Sequence, residues 1–233
     1  MIILEGAISV KAAIANKKRD VYSLSIAKDK KTKDFNYIRK LASSNNIKIN
    51  EIKKEDFASF PIGKTAGGII AEVSPRRSDE LVDGDIFLID GIEDPFNIGY
   101  IMRTIYALGV NNLILPSRDY EKMEAQIMKS SAGAFDMLNI LYTDDYVKTL
   151  KSLKDRYTIY ALKRSEESKD IFEVEFKEPS IYLLGGEKRG LSKDLEELSD
   201  EYLYISYGND FRNALNGASA ATVLATLRYR QKR

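Results

Sequence analysis

The sequence predicts an α/β fold in two parts, a small N-terminal α/β domain followed by a larger α/β domain built on a mostly parallel sheet. Three observations carry this expectation. Short apolar runs recur along the 233 residues, and stretches with helical spacing separate most of them. In the second part those runs, such as "DIFLID" and "IYLLGG", are continuously apolar, as strands covered on both faces are. Between the parts lies "VSPRRSDELVDGD", a polar stretch with Pro75 and Gly84, which sets the boundaries at residues 1–76, a linker at 77–84, and residues 85–233.

In the first part "ISVKAAIANKK" reads as a helix and "VYSLSIAK" as a strand. "KDFNYIRKLASSNN" follows as a helix ending at Asn45 and Asn46, then "IKINEI" and "GGIIAEV" as strands. In the second part "DIFLID", "NNLILP", "IYLLGG", "YLYIS" and "TIYALK" read as strands. The helices among them are "IGYIMRTIYALG", "DYEKMEAQIMKSS", "DDYVKTLKSLKDR", "SKDLEELSD" and "GASAATVLATLRYRQKR". In sheets of this kind ligands sit beyond the carboxyl ends of the strands.

Composition narrows the chemistry. Hydrophobic residues at 44% and charged residues at 30% describe a globular chain, not a disordered one. No apolar run is long enough to span a bilayer, and the basic residues of "MIILEGAISVKAAIANKK" follow the apolar ones, the reverse of a secretory signal. A cytoplasmic protein is expected. With no cysteine and no histidine, disulfides, thiolate chemistry, the usual zinc sites and Ser-His or Cys-His pairs are excluded.

The net charge of +1 conceals an asymmetry. Residues 1–78 hold 16 Lys and Arg against 8 Asp and Glu, whereas residues 79–233 hold 20 against 27. A basic segment of this kind reads equally as a solvated face or as a surface for a polyanion, nucleic acid first among them.

Three loops follow strands. In the first, "GIEDPF" leads to Asn97, placed as the N-cap of a helix whose apolar positions are Ile98, Ile101, Ile105 and Leu108 and which Gly109 ends. Arg103 lies off that apolar stripe. In the second, Gly185, Gly186 and Gly190 surround Glu187, Lys188 and Arg189, so the backbone can approach a ligand. This is neither a P-loop nor a G-x-G-x-x-G fingerprint. In the third, Asn216 precedes Gly217, Ala218, Ser219, Ala220 and Ala221, a helix start almost without side chains. It suits close helix packing and a flat ligand equally well.

Together these loops resemble the motifs of the SpoU/TrmH family of RNA 2′-O-ribose methyltransferases, within the SPOUT superfamily. "LIDGIEDPFNIGYIMRTIYALGV" is similar to the family's first motif, "LLGGEKRGLS" to its second and "YISYGNDFRNALNGASAATVL" to its third. "KSSAGAF", from Lys129 to Phe135, matches a segment between the first two. "GAISVKAAI" and "GGIIAEVSPR" resemble the ends of the family's small RNA substrate-binding domain, with Thr65-Ala66-Gly67 where His-Gln-Gly is usual.

The resemblance implies a deep trefoil knot in the C-terminal domain, S-adenosylmethionine as cofactor, no metal, and a homodimer formed through the knotted domains. It implies an RNA substrate, 23S ribosomal RNA first and transfer RNA next. The resemblance implicates the arginine that Arg103 matches in activating the ribose hydroxyl, directly or through the RNA phosphate. Since an arginine is too basic to be neutral, the expectation is that Arg103 orients phosphate and hydroxyl and stabilises developing negative charge, with Asn97 and Glu187 holding the arginine and ribose and Asn216 positioning the third loop. Backbone contacts to the cofactor are implied at Gly185, Ile205 and Leu215. The second motif departs from Gly-Asn-Glu-Gly, and Ala214 stands where the third usually has a serine. That departure leaves a non-catalytic RNA-binding assembly factor as the alternative.

Overall fold

The computed structural model describes residues 1–61, 66–186 and 189–233. The chain divides into two compact units, one of residues 1–77 and 119–137, the other of residues 78–118 and 138–233. The first unit opens with β1 (Ile2–Glu5), α1 (Ala7–Asn16), β2 (Val21–Ala27), α2 (Lys33–Ser44), β3 (Lys48–Ile52) and β4 (Ile69–Val73). The second begins with β5 (Ile86–Asp90), α3 (Pro95–Ala107) and β6 (Asn112–Pro116). The chain then returns to the first unit for α4 (Glu121–Ser130). It completes the second with β7 (Asn139–Thr143), α5 (Tyr146–Leu153), β8 (Thr158–Leu162), β9 (Lys169–Asp170), β10 (Ser180–Gly185), α6 (Lys193–Leu198), β11 (Glu201–Tyr204) and α7 (Gly217–Gln231). Strands β1, β7 and β9 are additions to the elements read from sequence. No helix among the described residues is long and apolar enough to cross a membrane.

The first unit is built on a four-stranded sheet of order β1-β4-β2-β3, in which β2 and β3 are parallel and the other pairs antiparallel. On α2, Phe35, Ile38 and Ala42 face inward at 3-4 spacing. The return of α4 rests on buried charge. The Arg19 guanidinium donates to both Asp136 carboxylate oxygens at 2.9 and 2.8 Å and to Glu124 at 2.5 Å. Glu124 also accepts the Arg76 amide at 3.1 Å, and Arg76 Nε donates to the Phe135 carbonyl at 3.0 Å. All four charged side chains are buried, and the Phe135 ring lies 5.4 Å from the guanidinium of both Arg19 and Arg76. Counting 119–137, the unit carries 18 Lys and Arg against 12 Asp and Glu, so its basic excess is smaller than residues 1–78 alone suggest.

The second unit contains a seven-stranded, wholly parallel sheet of order β7-β6-β5-β10-β8-β11-β9. Alternate residues serve its two faces. Ile86, Leu88, Ile159, Ile181 and Leu183 pack with Leu150 of α5 and Leu195 of α6. The intervening positions set Phe87 against Tyr182 at 5.2 Å in a tilted contact and stack Tyr182 on Tyr160 at 5.8 Å. Asp85, fully buried, pairs with Arg228 of α7, and its other oxygen accepts the Ser180 amide at 2.8 Å. This pairing anchors α7 at the amino end of the sheet, leaving the carboxyl end for its first turn.

Candidate functional site

The order of the sheet places β10 between β5 and β8, with Gly185 in register with Asp90. The first and second loops therefore leave the sheet side by side. Their separation is so small that a Cβ on Gly186 would lie 2.4 Å from the Gly91 carbonyl oxygen. Asp90 accepts the Ser192 amide at 2.9 Å, and the Gly190 amide returns to the Gly186 carbonyl at 2.8 Å. A Cβ on Gly185 would lie 2.4 Å from the Gly190 carbonyl carbon, so this turn needs glycine for close backbone approach.

The third loop joins them at the start of α7. A Cβ on Gly217 would meet Ile92 Cδ1 at 2.5 Å, and Ile101 Cδ1 lies 3.9 Å away. At Gly217 the absence of a side chain serves close packing of the helix start, one of the two readings that the sequence leaves open. Asn216 is the N-cap of α7, and its side-chain oxygen accepts the Ser219 amide at 2.8 Å. The cap of α3 is a correction: Asp94, not Asn97, holds that position, accepting the amides of Phe96 and Asn97 at 3.3 Å each. The physical reason is Pro95. Its fixed φ and missing N–H suit the first helical position, which moves the cap to the residue before it and puts Asn97 in the first turn.

A cavity of about 300 Å³ opens beyond the carboxyl ends of β8, β10 and β11. Leu162, Leu184, Leu203 and Leu215 give it apolar walls, and Gly185, Gly186 and Gly190 give it bare backbone. Of the residues expected from sequence, Gly185, Ile205 and Leu215 lie together on its wall, contributed by two strand ends and the third loop. Asn97, Arg103 and Asn216 are not among its lining residues, and Glu187, with Lys188 and Thr65, lies outside the described residues. Arg103 lies on the exposed side of α3, and its side chain makes no hydrogen bond or ion pair among the described residues.

The cavity also holds polar residues that the sequence reading does not single out. Lys163, just beyond β8, pairs with Glu196 of α6 at 2.7 Å, and this hydrogen bond pushes its pKa up. Arg164 lies 5.9 Å from the Tyr207 ring, and the Tyr207 hydroxyl accepts the Leu215 amide at 3.1 Å. The signal present in the sequence is "LKRS", two cations directly after an apolar strand.

Residues 85–226 match the SpoU rRNA Methylase family. The chain belongs to that family. Residues 3–78 match the domain described as RNA 2′-O ribose methyltransferase substrate binding. Among relatives, a Staphylococcus saprophyticus protein assigned to the TrmH family of tRNA/rRNA methyltransferases is 27% identical over 236 residues, covering 96% of this chain and 93% of its own. The 23S rRNA (guanosine-2′-O-)-methyltransferase RlmB of Pseudomonas aeruginosa is 23% identical over 206 residues, 84% of this chain and 83% of its own. The SpoU methyltransferase AviRb of Streptomyces viridochromogenes, solved with AdoMet, superposes with a TM-score of 0.79 at 20% identity. It covers 99% of this chain and 90% of its own. The likeness to AviRb is one of fold. Family membership makes this SpoU-type chain an RNA methyltransferase whose motif loops converge at one end of its larger sheet.

Proposed function

We propose that this SpoU-family chain transfers a methyl group from S-adenosylmethionine to a ribose 2′-hydroxyl of ribosomal RNA, 23S rRNA before any other. The observation that carries the reading is the cavity shared by Gly185, Ile205 and Leu215. Its volume, apolar walls and glycine backbone fit a nucleoside-like cofactor read by main-chain groups. When bound, S-adenosylmethionine supplies a methyl group on a cationic sulfur that departs as a neutral thioether.

The chain's own residues do the rest. Gly185 and Ile205 offer backbone to the cofactor. Because the Leu215 amide already donates to Tyr207, Leu215 presents its carbonyl. Arg103 keeps its charge, since an arginine is too basic to serve as a neutral acceptor near neutrality. It orients the RNA phosphate and stabilises negative charge developing on the ribose oxygen. Asn97 and Glu187 hold the arginine and ribose, while Asn216 fixes the third loop by capping α7.

The reading includes a trefoil knot at the cofactor site, domains that in sequence run over 1–76 and 85–233 joined by 77–84, with 119–137 returning to the first unit, and a cytoplasmic homodimer. Phe96 and Tyr100, 46% and 48% exposed, share the outer stripe of α3 with Arg103, and a second copy of the chain would cover such a stripe. The rRNA preference draws on the name of the RlmB relative and on the substrate-binding match of residues 3–78.

One observation favours a second reading, an RNA-binding assembly factor without catalysis: Ala214, on the cavity wall, brings no hydroxyl to the third loop. The deciding experiment incubates the protein with methyl-labelled S-adenosylmethionine and total RNA from cells lacking it, then maps 2′-O-methylation. Label at a defined position of 23S rRNA is expected. Cofactor binding with no label in any RNA would establish the assembly factor instead.

A further inference from the structure

In the first unit, Tyr37 is 51% exposed on α2, although the helix has Phe35, Ile38 and Ala42 to fill its buried side. Nothing in the core uses the ring. Lys33 and Lys40 lie four residues before it and three after, on the same helical stripe, and both are exposed. The neighbouring helix α1 adds Lys11, whose ammonium lies 5.0 Å from the centre of the Tyr37 ring. Lys11, Lys33 and Lys40 form no ion pair among the described residues. Ile8, 63% exposed one turn before Lys11, extends the surface with an apolar side chain. Asp34, exposed three residues before Tyr37, is the one carboxylate of α2 and borders the ring on the side away from Lys33 and Lys40.

An exposed aromatic ring surrounded by lysines without carboxylate partners has a specific chemical complement. Each lysine releases counterions when it meets a phosphate, and an open aromatic ring stacks on any base that is not already paired. A solvated basic face would need neither the tyrosine nor the isoleucine. We propose that this face of α1 and α2, centred on Tyr37 with Lys11, Lys33 and Lys40, is where the chain holds a single-stranded segment of its RNA substrate. The proposal rests on the RNA-methyltransferase reading and adds to it which surface grips the RNA and in what form.

The test uses the full-length protein with single-stranded oligouridylate and a fully paired RNA duplex as probes, titrated over a range of salt. The wild-type protein is expected to prefer the single strand. Replacing Lys11, Lys33 and Lys40 together by Gln should lower the slope of log affinity against log salt by about 2, at roughly 0.7 for each phosphate no longer neutralised. Tyr37→Ala should weaken single-strand binding roughly tenfold, and Tyr37→Phe should retain it. A charge-matched control, Lys48, Lys53 and Lys54 to Gln, should change little. Thermal melting of each variant confirms that it is folded, as expected for exposed positions.

If the variants bind as the wild type does, if the control weakens binding equally, or if the duplex is preferred, the proposed surface is wrong while the methyltransferase reading stands. If the wild-type protein binds neither RNA, the proposed surface is again wrong, and the methyltransferase reading is decided separately by the labelling experiment with total RNA.

Discussion

The Tyr207 hydroxyl accepts the backbone amide of Leu215 at 3.1 Å, tying the start of the third loop to its end. Both residues line the cavity, so this single bond sets the shape of the wall proposed to hold the cofactor. The Tyr207 ring is held independently, by Phe211 at 5.9 Å and by Arg164. Tyr207→Phe keeps the ring and removes only the acceptor. Losing one such bond corresponds to about 1 kcal/mol, so calorimetry should find S-adenosylmethionine bound roughly fivefold more weakly. The melting temperature should barely move. Unchanged cofactor affinity would mean that the tie is not part of the binding wall.

Gly186 and Gly217 both sit at close approaches, yet they should respond differently to a methyl group. At Gly186 the added carbon would meet a carbonyl oxygen of the adjoining loop, at 2.4 Å, and backbone cannot step aside without separating the loops. At Gly217 it would meet the tip of Ile92, at 2.5 Å, and a side chain can be shortened. Gly186→Ala should therefore abolish cofactor binding or cost about 1–3 kcal/mol of stability, as overpacking does. Gly217→Ala should be milder, and Ile92→Val should rescue it by removing the clashing atom. Chemical denaturation of the single and double variants measures both.

Arg19 serves two buried carboxylates, which makes its removal a pH-dependent defect. Burial works against the charge of Arg19, but Asp136 and Glu124 outweigh it and raise its pKa. Burial also pushes Glu124 up, even with Arg19 opposing the shift. A carboxylate with a raised folded pKa binds its proton more tightly folded than unfolded, so its contribution to stability falls as pH rises through the folded value. Arg19→Met leaves Glu124 and Asp136 without that cation and should cost about 3–5 kcal/mol near pH 7. The loss should shrink as the pH is lowered and Glu124, which burial already pushes up, takes up a proton. A loss that stayed constant as the pH fell would show that the variant suffers only from poorer packing.

The three site loops are legible in the sequence because each combines a strand end with residues that ordinary turns do not need together, and Gly185, Ile205 and Leu215 do share one cavity. The apolar runs of β5, β6 and β10 are equally plain, since a parallel strand buried on both faces leaves a continuous signal. β1, with four residues, and β9, with two, are too short to carry a period. Membership of α4 in the first unit cannot be read locally. It rests on charge interactions that span 105 and 117 positions, and nothing near Glu124 or Asp136 marks either as buried. Residue type alone points to Asn97 as a cap, whereas the Asp94-Pro95 pair is the stronger signal.

As the arginine proposed to act on the ribose, Arg103 stands where a loss of catalysis can be told from a loss of folding. It is exposed on α3, takes no part in the core, and lies outside the cavity that holds Gly185, Ile205 and Leu215. If it stabilises charge on the ribose oxygen, Arg103→Ala should lower the rate of methyl transfer by about 100-fold or more, in line with loss of one preorganised electrostatic partner. Cofactor affinity and melting temperature should stay within experimental scatter of the wild type. Arg103→Lys restores a cation without the planar fork and should recover only part of the rate, because a phosphate held by two parallel hydrogen bonds cannot be held the same way by an ammonium group. Single-turnover kinetics on the mapped RNA, paired with calorimetry for the cofactor, distinguishes these outcomes. Near-normal transfer by Arg103→Ala would remove the arginine from the mechanism, and a matching loss of cofactor affinity would move it into the binding site.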